Sequence, residues 1–304
     1  MAEISKAERK GGDGMEFYKT GFGTWMIGGK NEPDPDNDDA EDVAAIRRAI
    51  EAGIVHIDTA ELYANGKAEE LVGEAVGAYD RKSLFIASKV RETKLNYNQV
   101  LENCEKSLER LKTDYLDLYY IHKPNPEIPA QETAAAFNEL LKRGMIKNAG
   151  ISNASVATME TFSKYLDRPF FAAQCHYNLI VREPELKGVL AYCRKKGIHF
   201  IAWRPVQLPS EKFGIRSLAE RGAYPLLDEI SDKYGLTNAQ TAVRWLTQQE
   251  NVGIIFKTKN PAHLKEIVDA QNITLSKEDM DALTRDFPRR ESEGFTTNGK
   301  APLI

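Results

Sequence analysis

Residues 55–63 read VHIDTAELY. The stretch opens like a buried strand, closes on a carboxylate, Asp58, and places a phenol, Tyr63, five residues further on. A strand that is apolar along its length and polar only where it ends suits a sheet covered on both faces, with its chemistry at the carboxyl edge. The same design recurs. Short runs rich in branched and aromatic residues occupy 21–27 (GFGTWMI), 54–58 (IVHID), 84–88 (LFIAS), 116–121 (LDLYYI), 146–151 (IKNAGI), 170–174 (FFAAQ), 198–203 (IHFIAW) and 252–256 (VGIIF).

Between these runs the apolar residues take helical spacing. In QVLENCEKSLERLK, residues Leu101, Cys104, Leu108 and Leu111 share one face. AEELVGEAVGAY, ETAAAFNELLKRG and LKGVLAYCRKKG behave alike, and the last two stop at glycine, a common helix terminator. The long interval before 252–256 has room for two helices, the second opening at Thr237 with Gln240 three residues on, a capping-box pattern. Alternating strands and helices imply parallel pairing through right-handed crossovers, and eight such units predict a (β/α)8 TIM barrel. A doubly wound open sheet is the rival, but no GxGxxG follows an early strand. No composition shift marks a second domain. The expected organisation is a flexible, charged and glycine-rich lead-in over 1–15 and one barrel domain over 16–304, with long loops and a C-terminal tail near the barrel mouth.

The chain has 304 residues, 28% of them charged, and a formal net charge of −4 without a long basic block, which disfavours nucleic acid as the main partner. No apolar run approaches the length of a membrane span, and the N-terminus has no hydrophobic signal region. Cys104, Cys175 and Cys193 are scattered and odd in number, which fits a reducing compartment. A cytoplasmic, monomeric protein acting on a small molecule is expected.

In a barrel of this class the residues that close the strands build the active site. They are Asp58 with Tyr63, Lys89, His122, Ser152 with Asn153, Gln174, and Trp203. Singly each has a plain reading: a loop cap, a packed aromatic, a surface lysine with a buried stem, a satisfied histidine. Their common position at consecutive strand ends favours one site. A lysine ammonium beside a phenol is expected to lower the phenol's pKa, and an aspartate would hold that ammonium. The tyrosine then serves as proton donor and the histidine orients a substrate oxygen.

The stretches Gly21–Trp25, His56–Ala60 with Tyr63, Ser88–Lys89, Tyr120–His122, Gly150–Asn153, Gln174 with Tyr177 and Asn178, and Ile255–Thr258 make the sequence resemble the aldo-keto reductase superfamily. The resemblance covers about residues 20 to 270. It implies that Asp58, Tyr63, Lys89 and His122 are the catalytic tetrad, and that NADPH, with NADH as the alternative, lies extended across the mouth. It implies carbonyl reduction, with Ser152, Asn153 and Gln174 on the nicotinamide carboxamide. Trp203 takes the place of the usual ring-stacking tyrosine. Gly23, Thr24 and Trp25 join the cofactor set, and Arg204 stands where a pyrophosphate contact is expected. Trp25, Tyr63, His122 and Lys123 would face the substrate, and Phe295 in the tail is a further candidate. Independently, Asn260 and Pro261 read as a helix start. Lys257, Thr258 and Lys259 precede it, a setting that attracts anions such as a 2′-phosphate. His263 stands where relatives often carry arginine, and Ile267 where an adenine-facing asparagine is common.

Three rivals carry their own tests. A barrel metallohydrolase would use His56, His122, His176 and His199 with Asp58. An aldolase-like enzyme would use Lys89 as a Schiff-base nucleophile. A regulatory or sensor subunit would hold NADPH with little turnover.

Overall fold

The computed structural model describes residues 6–10, 16–209 and 215–288. Its strands are β1 (Lys6–Lys10), β2 (Glu16–Tyr18), β3 (Thr20–Gly23), β4 (His56–Asp58), β5 (Phe85–Val90), β6 (Leu118–Ile121), β7 (Ala149–Ser152), β8 (Ala172–His176), β9 (His199–Trp203) and β10 (Val252–Phe256). Strands β3 to β10 pair in parallel in chain order, and β10 closes on β3 to complete an eight-stranded barrel. The helices are α1 (Asp39–Glu51), α2 (Lys67–Val76), α3 (Tyr97–Leu111), α4 (Ala130–Arg143), α5 (Val156–Ser163), α6 (Glu183–Leu186), α7 (Val189–Lys196), α8 (Pro225–Tyr234), α9 (Asn238–Thr247), α10 (Pro261–Ala270) and α11 (Lys277–Asp286). The expected barrel is therefore the observed one.

Local signals act as their chemistry suggests. Thr237 and Gln240 form the reciprocal capping box that opens α9. Asn260 caps α10 through the Ala262 N–H, with Pro261 in the first turn. Two differences emerge. LKGVLAYCRKKG is divided between α6 and α7, because Gly188 takes a left-handed φ of 75°. Residues 6–10, assigned from sequence to the lead-in, form β1 and pair antiparallel with β2.

Side chains alternate across each strand. One set faces the helices and joins a large core that includes Ile46, Val72, Val100, Phe137, Ile151 and Leu246, all buried. Each such side chain contributes about 1.5–3 kcal/mol of apolar burial. The other set fills the barrel: Phe85, Ala87, Leu118, Tyr120, Ala172, Ile201 and Ile255 form one cluster. Phe17 of β2 belongs to it and stacks on His199 at 4.1 Å, where β9 begins, so β2 seals the N-terminal end. The filled interior leaves little room for added bulk. A Cβ at Gly150 would lie 2.5 Å from the Tyr120 ring, and one at Gly21 would lie 2.7 Å from His56 Nδ1. The open end is the other one, where the polar strand ends gather.

Candidate active site

The parity that buries Phe85 and Ala87 inside the barrel also brings Lys89 inward, one layer higher. Asp58 is inward at the end of β4, and Gln174 is inward on β8. Gln174 Nε2 donates to Asp58 Oδ2 at 2.8 Å, a bond between distant strands that only the interior permits. Lys89 Nζ donates to Asp58 Oδ1 at 2.5 Å, to the Thr59 carbonyl at 2.8 Å and to Tyr63 Oη at 3.4 Å. Asp58 and Lys89 are wholly buried. His122 follows β6 and meets the Tyr63 ring edge-on at 5.7 Å. The four residues expected to converge do so, in the expected order of partners.

The electrostatics correct one expectation. Tyr63 lies above the ordinary phenol range. Burial is the main cause and Asp58 adds to it, while Lys89 opposes both. The ammonium sits closer to Asp58 than to the phenol, so most of its charge is answered by the carboxylate. Tyr63 is therefore a protonated phenol at neutral pH, which is the form a proton donor needs. For Lys89, burial is the largest single influence and disfavours the charge, yet Asp58 and Tyr63 together leave its pKa raised. A charged, paired lysine is the opposite of a Schiff-base nucleophile. Burial, with Lys89 and Arg91 nearby, brings His122 down to about 3, so its imidazole is neutral.

Tyr63 is carried by a short turn, and Ala64 and Asn65 within it hold positive φ values of 46° and 51°. Glu61, buried, accepts the Arg91 N–H at 2.9 Å and ties this turn to the strand end beyond Lys89. Neither Glu61 nor Arg91 carries a signal of this role in the sequence, where an exposed surface pair looks the same.

Of the groups expected around a nicotinamide, Ser152 donates to the Gln174 carbonyl at 2.9 Å and accepts from Asn153 at 3.0 Å. Gln174 gives its amide to Asp58. Asn153, with φ of 58°, keeps a buried Oδ1 that has no hydrogen-bond partner. Thr24 is fully buried, and its N–H and hydroxyl both end on the Asp58 carbonyl. It therefore joins β3 to β4 beside the site. Gly23 pairs with Asp58 in the same register, and Trp25 follows at the half-buried rim.

Trp203 ends β9. His176, its register partner on β8, stacks flat on the indole at 4.2 Å and 13°. In the metallohydrolase alternative His176 would be a metal ligand. Instead its Nε2 meets Gln207 Oε1 at 3.1 Å, behind the tryptophan. His56 and His199 begin β4 and β9, at the opposite end of the barrel. Among the described residues no cluster of acidic, histidine or cysteine side chains is arranged to hold a metal.

The basic loop ahead of α10 is altered by one ion pair. Lys259 Nζ lies 2.7 Å from Asp42 Oδ1, and Asp42 is fully buried in α1. The Asp42 carboxylate also accepts the Gly28 N–H at 3.0 Å and the Asn37 amide at 2.7 Å. Lys259 thus braces the loop after β3, while Lys257 and His263 are exposed. Thr258 Oγ1 accepts the Asn260 N–H at 3.1 Å and shapes the turn. Ile267 is buried in the core, so it does not face a purine. Lys123 is half-buried beside His122, and Phe295 lies outside the described residues.

An eight-stranded parallel barrel with a buried Asp–Lys pair beside a phenol and an imidazole at its carboxyl end defines an oxidoreductase of the aldo-keto type. The match to the model described as the aldo/keto reductase family spans residues 19–285, and the chain belongs to that family. It is 30% identical to methylglyoxal reductase YeaE of Escherichia coli K12 over 272 residues, covering 88% of this chain and 90% of that one. The crystal structure of the thermostable aldo-keto reductase Tm1743 with the inhibitor epalrestat is 39% identical. It superposes with a TM-score of 0.83 and covers 91% of this chain and 97% of that one. The aldo/keto reductase of Klebsiella pneumoniae with NADP and acetate is 29% identical, with a TM-score of 0.82 and coverage of 95% and 98%. Among the described residues no helix is long and apolar enough to cross a membrane.

Proposed function

We propose that this enzyme reduces aldehydes or ketones to alcohols with NADPH, and that Tyr63 donates the proton. The observation that carries the reading is the buried Lys89 ammonium bonded to both Asp58 and Tyr63, with His122 against the same phenol ring. When bound, the cofactor supplies the hydride that adds to the carbonyl carbon. The residues present fit such a cofactor. Asn153 Oδ1 is a buried acceptor awaiting a donor such as a carboxamide N–H, and the Trp203 indole at the end of β9 is backed by His176. Lys257 and His263 flank the N-terminus of α10, where free N–H groups attract a phosphate.

Tyr63 and the neutral His122 hold the carbonyl oxygen and stabilise the charge that builds on it. The Tyr63 proton then passes to that oxygen while Lys89 stabilises the phenolate left behind. Lys89 stays charged because Asp58 faces it. Trp25 and Lys123 line the approach, together with the loops at 26–38 and 123–130. The relative active on methylglyoxal supports small aldehydes as a starting point.

The test is a panel of carbonyl compounds followed by loss of reduced cofactor, with NADPH and NADH compared and the panel repeated on Tyr63→Phe. Reduction should fall by about 10²-fold or more in the variant, the scale of general acid catalysis, while NADPH still binds. Unchanged turnover in Tyr63→Phe would overturn the assignment of the donor. Tight NADPH binding with no turnover on any carbonyl would favour the sensor reading.

A further inference from the structure

The helix α2 carries two adjacent acids in its first turn, Glu69 and Glu70. Glu70 is exposed, but Glu69 falls on the apolar face and is fully buried between the helices and the outside of the barrel. Its two oxygens are spent in different directions. Oε1 accepts the Ser88 hydroxyl at 2.5 Å. Oε2 accepts Arg110 of α3 twice, from Nε at 2.7 Å and from Nη2 at 2.6 Å. Ser107, one turn earlier on α3, accepts the same Nη2 at 3.4 Å.

Each partner touches one half of the proton-transfer pair. Ser88 precedes Lys89 on β5, and strand alternation turns Lys89 into the barrel and Ser88 out toward Glu69. Arg110 lies against Gly66, which ends the turn carrying Tyr63 and opens α2. Gly66 has a φ of 96°, and a Cβ there would stand 2.9 Å from both Cδ and Nε of Arg110. The Tyr63 turn thus rests directly on the arginine side chain. At Gly73 the two helices meet backbone to backbone, since a Cβ would lie 2.4 Å from the Arg110 carbonyl. One buried carboxylate therefore ties the strand of Lys89 to the support of the Tyr63 turn. Inside the barrel these segments meet through the 3.4 Å contact from Lys89 Nζ to Tyr63 Oη, a long bond that a small shift would break. A buried ion pair is weak evidence for stability, because apolar packing often serves as well, but its directional bonds fix geometry as apolar contacts do not.

We propose that Glu69, held by Arg110, is a positioning residue for proton transfer, setting the Tyr63 turn against the Lys89 strand from outside the barrel. This rests on the reductase reading of Tyr63 and Lys89.

Two variants test it. Glu69→Gln keeps the side chain's length and removes its charge. Ser88→Ala cuts the tie to β5 and leaves no charge unpaired, so the decision does not depend on Glu69→Gln folding. Asp117→Asn is the control. It breaks another buried pair, with Arg81 at 2.7 Å, where β6 begins at the closed end of the barrel. The readouts are the NADPH dissociation constant, the urea midpoint, and single-turnover oxidation of bound NADPH by the most active aldehyde of the panel in H2O and D2O. A misplacement of about 1 Å costs about 10²-fold, so Glu69→Gln should slow the single turnover about tenfold and Ser88→Ala by a smaller factor. The solvent isotope effect should rise in both, because proton transfer is the step made slower, while NADPH affinity holds. Asp117→Asn should lower the urea midpoint and leave rate and isotope effect as in the wild type. Hydrogen exchange gives a readout independent of turnover: amides of residues 59–66 should exchange about tenfold faster in Glu69→Gln, and those of β9 should not. Wild-type rates in both variants, a slower turnover with an unchanged isotope effect, or the same losses in Asp117→Asn would overturn the proposal. A wild type that reduces no aldehyde, with the local exchange pattern intact, would instead count against the reductase reading.

Discussion

Asp58 and Lys89 can be tested as a unit by a double-mutant cycle. In Asp58→Asn the ammonium stays fully buried and loses the acceptor 2.5 Å away, retaining the Thr59 carbonyl at 2.8 Å. Breaking a buried pair by removing one partner costs about 3–5 kcal/mol, because the other charge is left uncompensated. The surviving bond to Thr59 is worth about 1 kcal/mol, so a loss of about 2–4 kcal/mol is expected. Lys89→Met leaves a buried carboxylate with the Gln174 amide as its side-chain donor, at a similar cost of about 3–5 kcal/mol. The double variant buries no net charge: the introduced asparagine side chain still accepts from Gln174, and methionine has nearly the volume of lysine. It should lose only about 1–2 kcal/mol, chiefly from the orphaned Thr59 carbonyl. The coupling energy is then at least about 3 kcal/mol, while reductase activity is nearly absent in all three variants. Urea denaturation followed by far-ultraviolet circular dichroism reads the stabilities, with equal m-values confirming that one transition is compared. Losses that add to within about 0.5 kcal/mol would refute the claim that these groups are held together as a desolvated ion pair.

Acid stability follows from three histidines, His122 among them, that burial keeps neutral. Burial is the main cause that brings His56 down to about 4 and His122 and His176 down to about 3, so the unfolded chain takes up their protons from about pH 6.5 and the folded chain does not. Stability should fall with pH through that window, by about 2 kcal/mol per histidine between pH 7 and 5, and a urea midpoint that does not move would contradict this. For catalysis, a neutral His122 and a Tyr63 held above the phenol range predict a flat kcat/KM for reduction across pH 6–9, and an ionisation within that interval assigned to either residue would count against them. Lys257→Ala should lower the preference for NADPH over NADH about tenfold, whereas Lys259→Met should chiefly destabilise the fold by uncovering Asp42, and the reverse pattern would refute the division of labour drawn from the Asp42 pair. His176→Ala, measured by the KM for NADPH, should show a several-fold rise that His176→Phe avoids by keeping a ring behind Trp203, and equal effects would mean the stack does not position the indole.

What was legible in the sequence is whatever depends on periodicity and on the direction of strands. Parallel strands in series place all their carboxyl ends on one rim, so Asp58, Lys89 and His122 were bound to meet once the barrel was recognised. The partner order followed from charge. What stayed hidden is the competition among neighbours. Lys89 was expected to acidify Tyr63, but the ammonium lies nearer to the carboxylate and burial acts on the phenol more strongly. Lys259 looked like a free cation because Asp42, 217 positions earlier by sequence number, gives no local sign of being buried against it. Thr24 looked like a rim residue, yet its hydroxyl turns to the Asp58 carbonyl. In each case the residue type and its place near a strand end are legible in the sequence, and the intramolecular partner is not. A side chain's role is set by which of several nearby groups it reaches first, and differences of about an ångström between such groups are not encoded in spacing. The same reasoning holds for Arg204, whose guanidinium lies 5.3 Å from the Trp25 ring centre and 5.5 Å from that of Trp203, neighbours that no spacing in the sequence announces.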